Sequence, residues 1–227
     1  MVGPVVDGLR ERKKRAVRRA ISDTATRLFM TKGFDNTSVA EIADVVGVSA
    51  QTVLNYFPAK TDLFFDEDDW YAGPPQAVRD ECPRTSPAAA VRDWYLADLQ
   101  RRHDEGHLDG LAAYVQTIAD SDALRRRRLD DLAALTDALR AALDDTSADG
   151  SAWDGQLSAA ILTSAIMVAE SEAARLSRTL AGADLLAAAQ AVAAAIFERT
   201  AHAWAPAKTK DFEHERSSRR RRHSSLQ

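Results

Sequence analysis

Apolar side chains recur at helical spacing near the start of the chain and predict one long amphipathic helix. They form a single stripe whose members lie one, three or four positions apart: Val17, Ile21, Thr24, Ala25, Leu28 and Phe29. A period of about 3.6 residues is typical of a helix that buries one face. Gly33 is expected to end the helix because glycine readily adopts the left-handed conformation of a C-cap.

Two shorter helices are predicted next. Ser38 and Glu41 have the spacing of a capping box, and an apolar helical face follows them. Gly47 permits a tight turn, and Ser49 can cap a second short helix over residues 50–57. A long helix followed by two short helices joined by a glycine turn is typical of the helix-turn-helix unit.

Helices are also predicted throughout the rest of the chain. Pro58 suits the first turn of a helix, which is expected to run from Ala59 through Leu63 to Trp70. A break is expected at four prolines: Pro74, Pro75, Pro83 and Pro87. Five further helices are expected near residues 88–105, 108–120, 122–145, 153–179 and 183–204. The sequence therefore predicts an all-α protein of about nine helices.

Charge is distributed unevenly and supports a division into three parts. Residues 9–60 hold ten Lys/Arg and five Asp/Glu, residues 61–205 hold thirteen and twenty-five, and residues 206–227 hold seven and three. A basic N-terminal module is expected to meet a polyanion, whereas the acidic body is not. We predict a helix-turn-helix domain over residues 9–57, a helical domain over 58–205 and a disordered basic tail over 206–227, which includes Arg219 to Arg222.

Composition narrows the class of protein further. Cys82 is the only cysteine, so intrachain disulfides and a thiolate zinc site are excluded. No uninterrupted run of about 18 apolar residues and no secretory signal pattern are found, so a cytoplasmic protein without a membrane span is expected. His103 and His107 are four apart, but Gly106 is expected to end the helix between them, and no metal or cofactor is predicted.

The polar residues around Gly47 have the chemistry of a DNA reader. Val53 and Phe57 are expected to face inward, which leaves an outward face made of Ala50, Gln51, Thr52, Asn55 and Tyr56. Gln51 and Asn55 are the best candidates for base contacts because their amides can pair bidentately with adenine. The helix has no Arg or Lys before Lys60, so guanine readout by a bidentate arginine is not expected and A·T pairs are favoured.

Phosphate contacts are expected from hydroxyl and cationic side chains. The hydroxyl candidates are Thr37, Ser49, Thr52 and Tyr56. Salt-sensitive attraction is expected from Lys60 and from the basic cluster Arg10 to Arg19. The alternative is that this unit serves only protein interaction or structure.

Phe29 to Leu63 resembles the DNA-binding region of TetR-type (tetracycline repressor-like) regulators. The resemblance is carried by KGFDNTSVAEIADVVGVS followed by QTVLNYFPAKTDLF. It implies that the following positions contact DNA: Thr37, Ser38, Ser49, Gln51, Thr52, Asn55, Tyr56 and Lys60. Leu54 departs from the family, which usually has an aromatic residue there.

The resemblance also implies a ligand-binding and dimerisation domain, a palindromic DNA operator, and a small-molecule effector that releases the protein. The helices over 153–179 and 183–204 are expected to form a homodimer through two Ala-rich stripes: Ala159, Leu162, Ala165, Ile166 and Ala169, then Leu186, Ala189, Val192, Ala193 and Ile196. The alternative is that both stripes pack within one subunit. Induction in the family usually pivots the helix that follows Pro58.

A partly apolar effector is expected in a pocket of the second domain. Its candidate lining mixes aromatic and flexible apolar side chains: Trp94, Tyr95, Tyr114, Ile118, Leu135 and Met167. Glu170 can sense a polar ligand atom or lie on a solvated face, and the solvated face is the preferred interpretation. A regulator controlled by a protein partner, an activator and a helical enzyme are the other functions considered; no enzymatic activity is predicted.

Overall fold

The fold is built from helices throughout the residues described. A computed structural model describes residues 8–66, 70–81, 85–146 and 152–203, and the predicted tail at 206–227 and Cys82 lie outside them. These segments contain α-helices and short 3-10 turns and no strands, which confirms the all-α prediction. The helices are α1 (Leu9–Lys32), α2 (Val39–Val46), α3 (Ala50–Tyr56), α4 (Gly73–Glu81), α5 (Pro87–Asp104), α6 (Leu111–Asp120), α7 (Asp122–Thr146), α8 (Ala152–Leu176) and α9 (Gly182–Ala203).

The capping residues predicted for the first three helices stand at the helix ends, but the left-handed C-cap conformation is confirmed only at Gly47, because Gly33 has a ψ of 152°. Gly33 ends α1 with a φ of 87°, and Gly47 ends α2 in the left-handed region with a φ of 79°. Ser38 Oγ accepts the Glu41 N–H at 3.1 Å, which is the first half of the predicted capping box. The Glu41 carboxylate instead pairs with the Lys32 ammonium, and this hydrogen bond lowers the pKa of Glu41.

The predicted helix from Ala59 to Trp70 is wrong. A 3-10 turn spans only Lys60–Leu63, and the next helix, α4, begins at Gly73. Pro74 therefore starts a helix instead of breaking one, because a first-turn N–H has no helical acceptor to lose. Length and composition alone do not distinguish these two placements.

Two hydrophobic cores organise the chain. The N-terminal core joins α1, α2 and α3 and includes Leu63, Phe64 and Phe65, so it continues past the boundary predicted at residue 57. The body core is made by α4, α5, α7, α8 and α9. Leu124 of α7 is fully buried in the N-terminal core, and Tyr114 of α6 packs against both cores.

The Ala-rich stripes of α8 and α9 pack within one subunit. Ala159, Leu162 and Ile166 are fully buried in the body core, and Ala189 and Ala193 are at most 3% exposed. Most residues of the two predicted stripes therefore pack within one subunit, whereas Val192 and Ile196 stay half-buried, and a dimer through α8 and α9 remains a prediction. The exposed apolar residues of α8 lie on another face: Leu157 is 52%, Met167 44% and Val168 50% exposed.

Candidate nucleic-acid interface

The recognition helix α3 is fixed by its buried side. Val53 and Phe57 are at most 1% exposed and pack into the N-terminal core with Ile42 and Ala43 of α2. Their four-residue spacing leaves one face of this short helix inside and the opposite face outside. This arrangement confirms the inward face predicted for α3.

The start of α3 is fixed by a serine cap. Ser49 Oγ accepts the Thr52 N–H at 3.0 Å and lies 2.8 Å from Thr52 Oγ1. The cap satisfies a backbone donor that has no partner within the helix. The left-handed Gly47 before it allows α2 and α3 to meet at a tight turn.

The outer face of α3 is polar and accessible. Gln51 and Asn55 are exposed, and Gln51 Nε2 donates to Asn55 Oδ1 at 3.1 Å. Ala50, Thr52 and Tyr56 are half-buried, and Leu54 is 38% exposed. The two amides are one helical turn apart, so a major groove that admits α3 would meet both.

Ser38 and Thr37 occupy different environments despite being neighbours. Ser38 is exposed at the start of α2, where a phosphate could reach its hydroxyl. Thr37 is only 1% exposed, and its hydroxyl donates to the Gly33 carbonyl at 3.0 Å. The Thr37 side chain therefore secures the end of α1, and the predicted phosphate contact by this hydroxyl does not fit the structure.

Lys60 also points inward, contrary to its expected position as an outward phosphate-binding cation. Its ammonium donates to the Phe34 carbonyl and lies 4.3 Å from the centroid of the Phe34 ring. Burial lowers the pKa of Lys60. A carbonyl and an aromatic face are both good partners for a partly desolvated cation, so this side chain holds the start of the 3-10 turn against the N-terminal core.

The six predicted effector contacts do not form one group. Trp94, Tyr95 and Leu135 lie in or against the body core. Ile118 packs against the N-terminal core, and Tyr114 lies between the two cores.

Met167 is exposed on α8, so its predicted place in the pocket lining is not supported. It directly follows the fully buried Ile166. A step of one residue turns a helix by about 100°, which carries Met167 from the core side to the outside.

A buried polar cluster was missed by the sequence analysis. Arg102 Nη1 donates to Glu170 Oε1 at 3.2 Å, and Arg102 Nε lies 2.8 Å from Asp98 Oδ2 in an ion pair. Trp70 Nε1 donates to Asp98 at 2.9 Å, and the Tyr95 hydroxyl donates to Glu170 at 2.9 Å. The cluster joins α5, α8 and the turn before α4. We call these five residues the polar cluster.

Glu170 is buried, so the preferred interpretation that it lies on a solvated face is wrong. It is 4% exposed and lies between Tyr95 and Arg102. Asp98 and Arg102 have an i,i+4 spacing that the sequence displays, and this spacing could have signalled an ion pair. Arg102 and Glu170 are 68 positions apart in the sequence, and no helical spacing indicates a pair at that distance.

The N-terminal unit contacts the body through both rings and charges. Phe64 stacks on Tyr114 of α6, with 4.9 Å between centroids and 12° between planes. Arg127 of α7 donates to Asp62 in the 3-10 turn and to Asp131 on its own helix, and these hydrogen bonds raise the pKa of Arg127. Through these contacts, α6 and α7 of the body bind directly to the 3-10 turn and to Phe64, which follow α3.

Known proteins resemble both the N-terminal unit and the helical body. A family profile described as "Bacterial regulatory proteins, tetR family" matches residues 21–66. The HTH-type transcriptional regulator RutR of Escherichia coli K12 is 30% identical over 135 residues, as is RutR of Shigella flexneri. Over residues 21–66 the chain is therefore similar to the TetR family. The alignment covers 57% of this chain, and the chain spans 61% of the length of these curated relatives.

Solved structures extend the likeness to the body. NalD, the secondary repressor of the MexAB-OprM multidrug efflux pump in Pseudomonas aeruginosa, is 18% identical with a TM-score of 0.58, covering 84% of this chain and 96% of NalD. SmeT in complex with triclosan is 16% identical with a TM-score of 0.58, covering 83% and 91%. At these identities the likeness establishes the fold alone.

One helix in the described part of the chain is long and apolar enough to be considered as a membrane span. Gly155–Leu176 is long and apolar enough by length and composition, and half of its most apolar window is buried inside the protein. Buried core helices pass the same test.

Proposed function

We propose that this protein is a DNA-binding transcriptional regulator whose α3 enters the major groove of an operator. The observation that carries the proposal is the two-sidedness of α3. Val53 and Phe57 anchor it in the core, while Gln51 and Asn55 project from the opposite side. A helix-turn-helix uses this arrangement to present base-reading side chains to DNA.

The side chains around α3 favour an operator with A·T pairs at the positions that α3 contacts. Gln51 and Asn55 can each pair bidentately with adenine, and no arginine lies on α3 to read guanine. Ser38, Ser49 and Tyr56 supply hydroxyls for phosphate oxygens on either side. Thr37 and Lys60 are left out of this proposed contact set because both point inward.

We propose further that two copies pair through the exposed apolar face of α8 and α9. A shallow groove between these helices is lined by Ala160, Ile161, Ser164, Ala165, Val168, Ile196 and Thr200. A second copy placed by a two-fold axis would bury this face in a four-helix bundle and set two recognition helices one DNA turn apart, about 34–36 Å. The operator would then be palindromic.

The dimer proposal is tested by introducing a charge on this face. Val168→Glu should convert a dimer into a monomer in analytical ultracentrifugation, because a carboxylate would have to be desolvated in the interface. Leu129→Glu is the matched control, since Leu129 is 65% exposed on α7, away from the groove. A Val168→Glu protein that stays dimeric would place the interface elsewhere.

Regulation by a small, partly apolar effector bound in the body is the remaining part of the proposal. It is supported by the similarity of residues 21–66 to the TetR family and by the shared fold of SmeT, which was solved in complex with triclosan. An effector shifts the protein off DNA only if it binds the released conformation more tightly. Thermal shift with candidate effectors measures this binding because native-state ligands raise the melting temperature.

In-vitro selection of DNA sites at stated salt tests the DNA-binding function. Gln51→Ala should relax preference at one base position by about 1–3 kcal/mol without reducing the melting temperature. Gln100→Ala, an exposed glutamine on α5, is the matched control and should leave the selected site unchanged. A dimeric wild-type protein that ignores duplex DNA even at low salt would refute the function, and a catalytic role for the body would become the next hypothesis.

A further inference from the structure

Helix α7 takes part in both hydrophobic cores. Leu124, in its first turn, is fully buried in the N-terminal core. Leu132, Leu135 and Leu139 of the same helix are at most 7% exposed and lie in the body core. A helix of 25 residues is about 37 Å long. Because the helix is continuous, α7 connects the two cores as a single rigid piece.

Two polar contacts, one on each side of Leu124, reach the segments that flank α2 and α3. The Ser121 hydroxyl, directly before α7, donates to Asp35 at 2.8 Å, and Asp35 lies in the loop that precedes α2. Arg127 donates to Asp62 in the 3-10 turn that follows α3. Positions 121, 124 and 127 are spaced three apart, so they lie along one side of α7. We call Ser121, Leu124 and Arg127 the α7 contact face.

Within the described residues, the chain that leaves α3 forms only a short link to the body. It makes a 3-10 turn of four residues, Lys60–Leu63, and α4 does not begin until Gly73. Runs of 3-10 helix stay short because their hydrogen-bond geometry is poor. Asp62 also accepts the Ala59 N–H at 2.8 Å, so the carboxylate that receives Arg127 fixes the start of this turn. The angle between α3 and the body therefore depends on side-chain contacts such as those of the α7 contact face.

The ion pair of this face is better suited to orientation than to stability. The side chains of Arg127 and Asp62 are 36% and 27% exposed, and an ion pair with that exposure adds little to the free energy of unfolding. Charge-assisted hydrogen bonds nevertheless have defined geometry. Ser121 is only 2% exposed, so its bond to Asp35 is largely shielded from water. Together the two contacts hold both sides of the α2–α3 pair at one angle.

We propose that Ser121 and Arg127 are positioning residues for the recognition helix. Through Asp35 and Asp62 they fix the angle of α3 relative to the body, and in a dimer they thereby select the spacing between the two half-sites of the operator. The inference rests on the proposed DNA-binding function and on the pairing of two copies. One added base pair moves the half-sites apart by about 3.4 Å and rotates them by about 35°. A dimer that holds both α3 helices at fixed angles follows this displacement poorly.

A series of operators with altered half-site spacing tests this role. Wild-type protein and Arg127→Gln are titrated with the selected site and with versions that have one base pair inserted or removed between the half-sites. A partly exposed ion pair favours its own geometry by about twofold to fivefold. Because a dimer contains two such pairs, the preference of Arg127→Gln for the selected spacing should fall by about fourfold to twenty-fivefold. Ser121→Ala should lower the same preference, and base preference within each half-site should not change.

Matched variants separate positioning from stability and from general charge. Arg140→Gln removes a cation that is 41% exposed and pairs with Asp144 on α7 itself, so this variant should keep the wild-type spacing preference. Arg127→Lys keeps a cation near Asp62 and should restore part of the preference. A purely structural role would instead lower the melting temperature of Arg127→Gln and leave the ratio of affinities between spacings unchanged, which would contradict the proposal.

The outcomes distinguish this inference from the function on which it rests. If wild-type protein binds a specific palindromic site but Arg127→Gln keeps a spacing preference within about twofold of wild type, the positioning role is refuted and the DNA-binding function stands. A wild-type dimer that binds every spacing equally well has the same consequence. A slope of log K against log salt that becomes shallower by about 2 in Arg127→Gln would mean that Arg127 neutralises a phosphate directly, which also overturns the proposal. Failure of the wild-type dimer to bind any duplex DNA would refute the function itself.

Discussion

Replacing Arg102 with methionine should destabilise the body more than any exposed arginine does. Arg102 is the buried cation between Asp98 and Glu170, whose side chains are each 5% exposed. After the change, Asp98 would keep the Trp70 N–H and the half-exposed Arg101, whereas Glu170 would keep only the Tyr95 hydroxyl among these partners. Removing one partner of a buried pair costs about 3–5 kcal/mol.

We expect a loss of about 3 kcal/mol, at the lower end of that range, because the Tyr95 hydrogen bond remains. The free energy of unfolding is measured by urea titration at one fixed protein concentration, since association would otherwise contribute to it. Arg101→Met is the matched control: its side chain is 45% exposed, so it should lose less than about 1 kcal/mol.

A double variant identifies the cause of the loss. Adding Glu170→Gln to Arg102→Met removes the buried charge that was left behind, so the double variant should be more stable than Arg102→Met alone by at least about 1 kcal/mol. If Arg102→Met is no less stable than Arg101→Met, or if Glu170→Gln brings no recovery, the polar cluster does not support the body in the way described.

Three further changes test other contacts. Gly73→Ala should destabilise by about 1–3 kcal/mol in urea, because its Cβ would lie 2.2 Å from the indole nitrogen of Trp94; wild-type stability would contradict this packing. Burial raises the pKa of Tyr95 well above its ordinary value, so the stability from its neutral hydroxyl is complete below about pH 10 and is lost as pH rises through the folded-state pKa. Above pH 10 the urea midpoint of Tyr95→Phe should therefore decline less steeply with pH than that of the wild type. Equal declines in the two proteins would refute a raised pKa of Tyr95. A double-mutant cycle of Asp62→Asn and Arg127→Gln should give a coupling of about 0.5–1 kcal/mol in unfolding, reduced by partial exposure; additive effects would mean that the pair does not connect α7 to the 3-10 turn.

The amino-acid sequence by itself determined the N-terminal unit to a large extent. Its signals are local: Ser38 and Ser49 cap helices three residues away, and Gly47 provides a conformation that other residues rarely adopt. The inward face of α3 followed from the spacing of Val53 and Phe57 alone. Local hydrogen bonds and helical period need no knowledge of distant residues, so these features could be predicted.

Tertiary structure decided which way several polar side chains point. The resemblance implies DNA contacts at Thr37 and Lys60, yet both side chains point inward and donate to the carbonyls of Gly33 and Phe34. Glu170 has no local partner, and only the packing of α8 against α5 brings Arg102 to it. Helical spacing cannot report such long-range pairs.

Long-range packing also explains why the sequence did not settle the role of α8 and α9 or the structure of the segment after Pro58. Both apolar stripes were visible in the sequence, but periodicity cannot say whether a stripe faces its own subunit or a second copy. Pro74 can equally break a helix or begin one, and only the packing of α4 against α5 and α7 settles its place. The local sequence determined where helices cap and turn, whereas the burial of distant surfaces against each other decided which faces remain free for a partner.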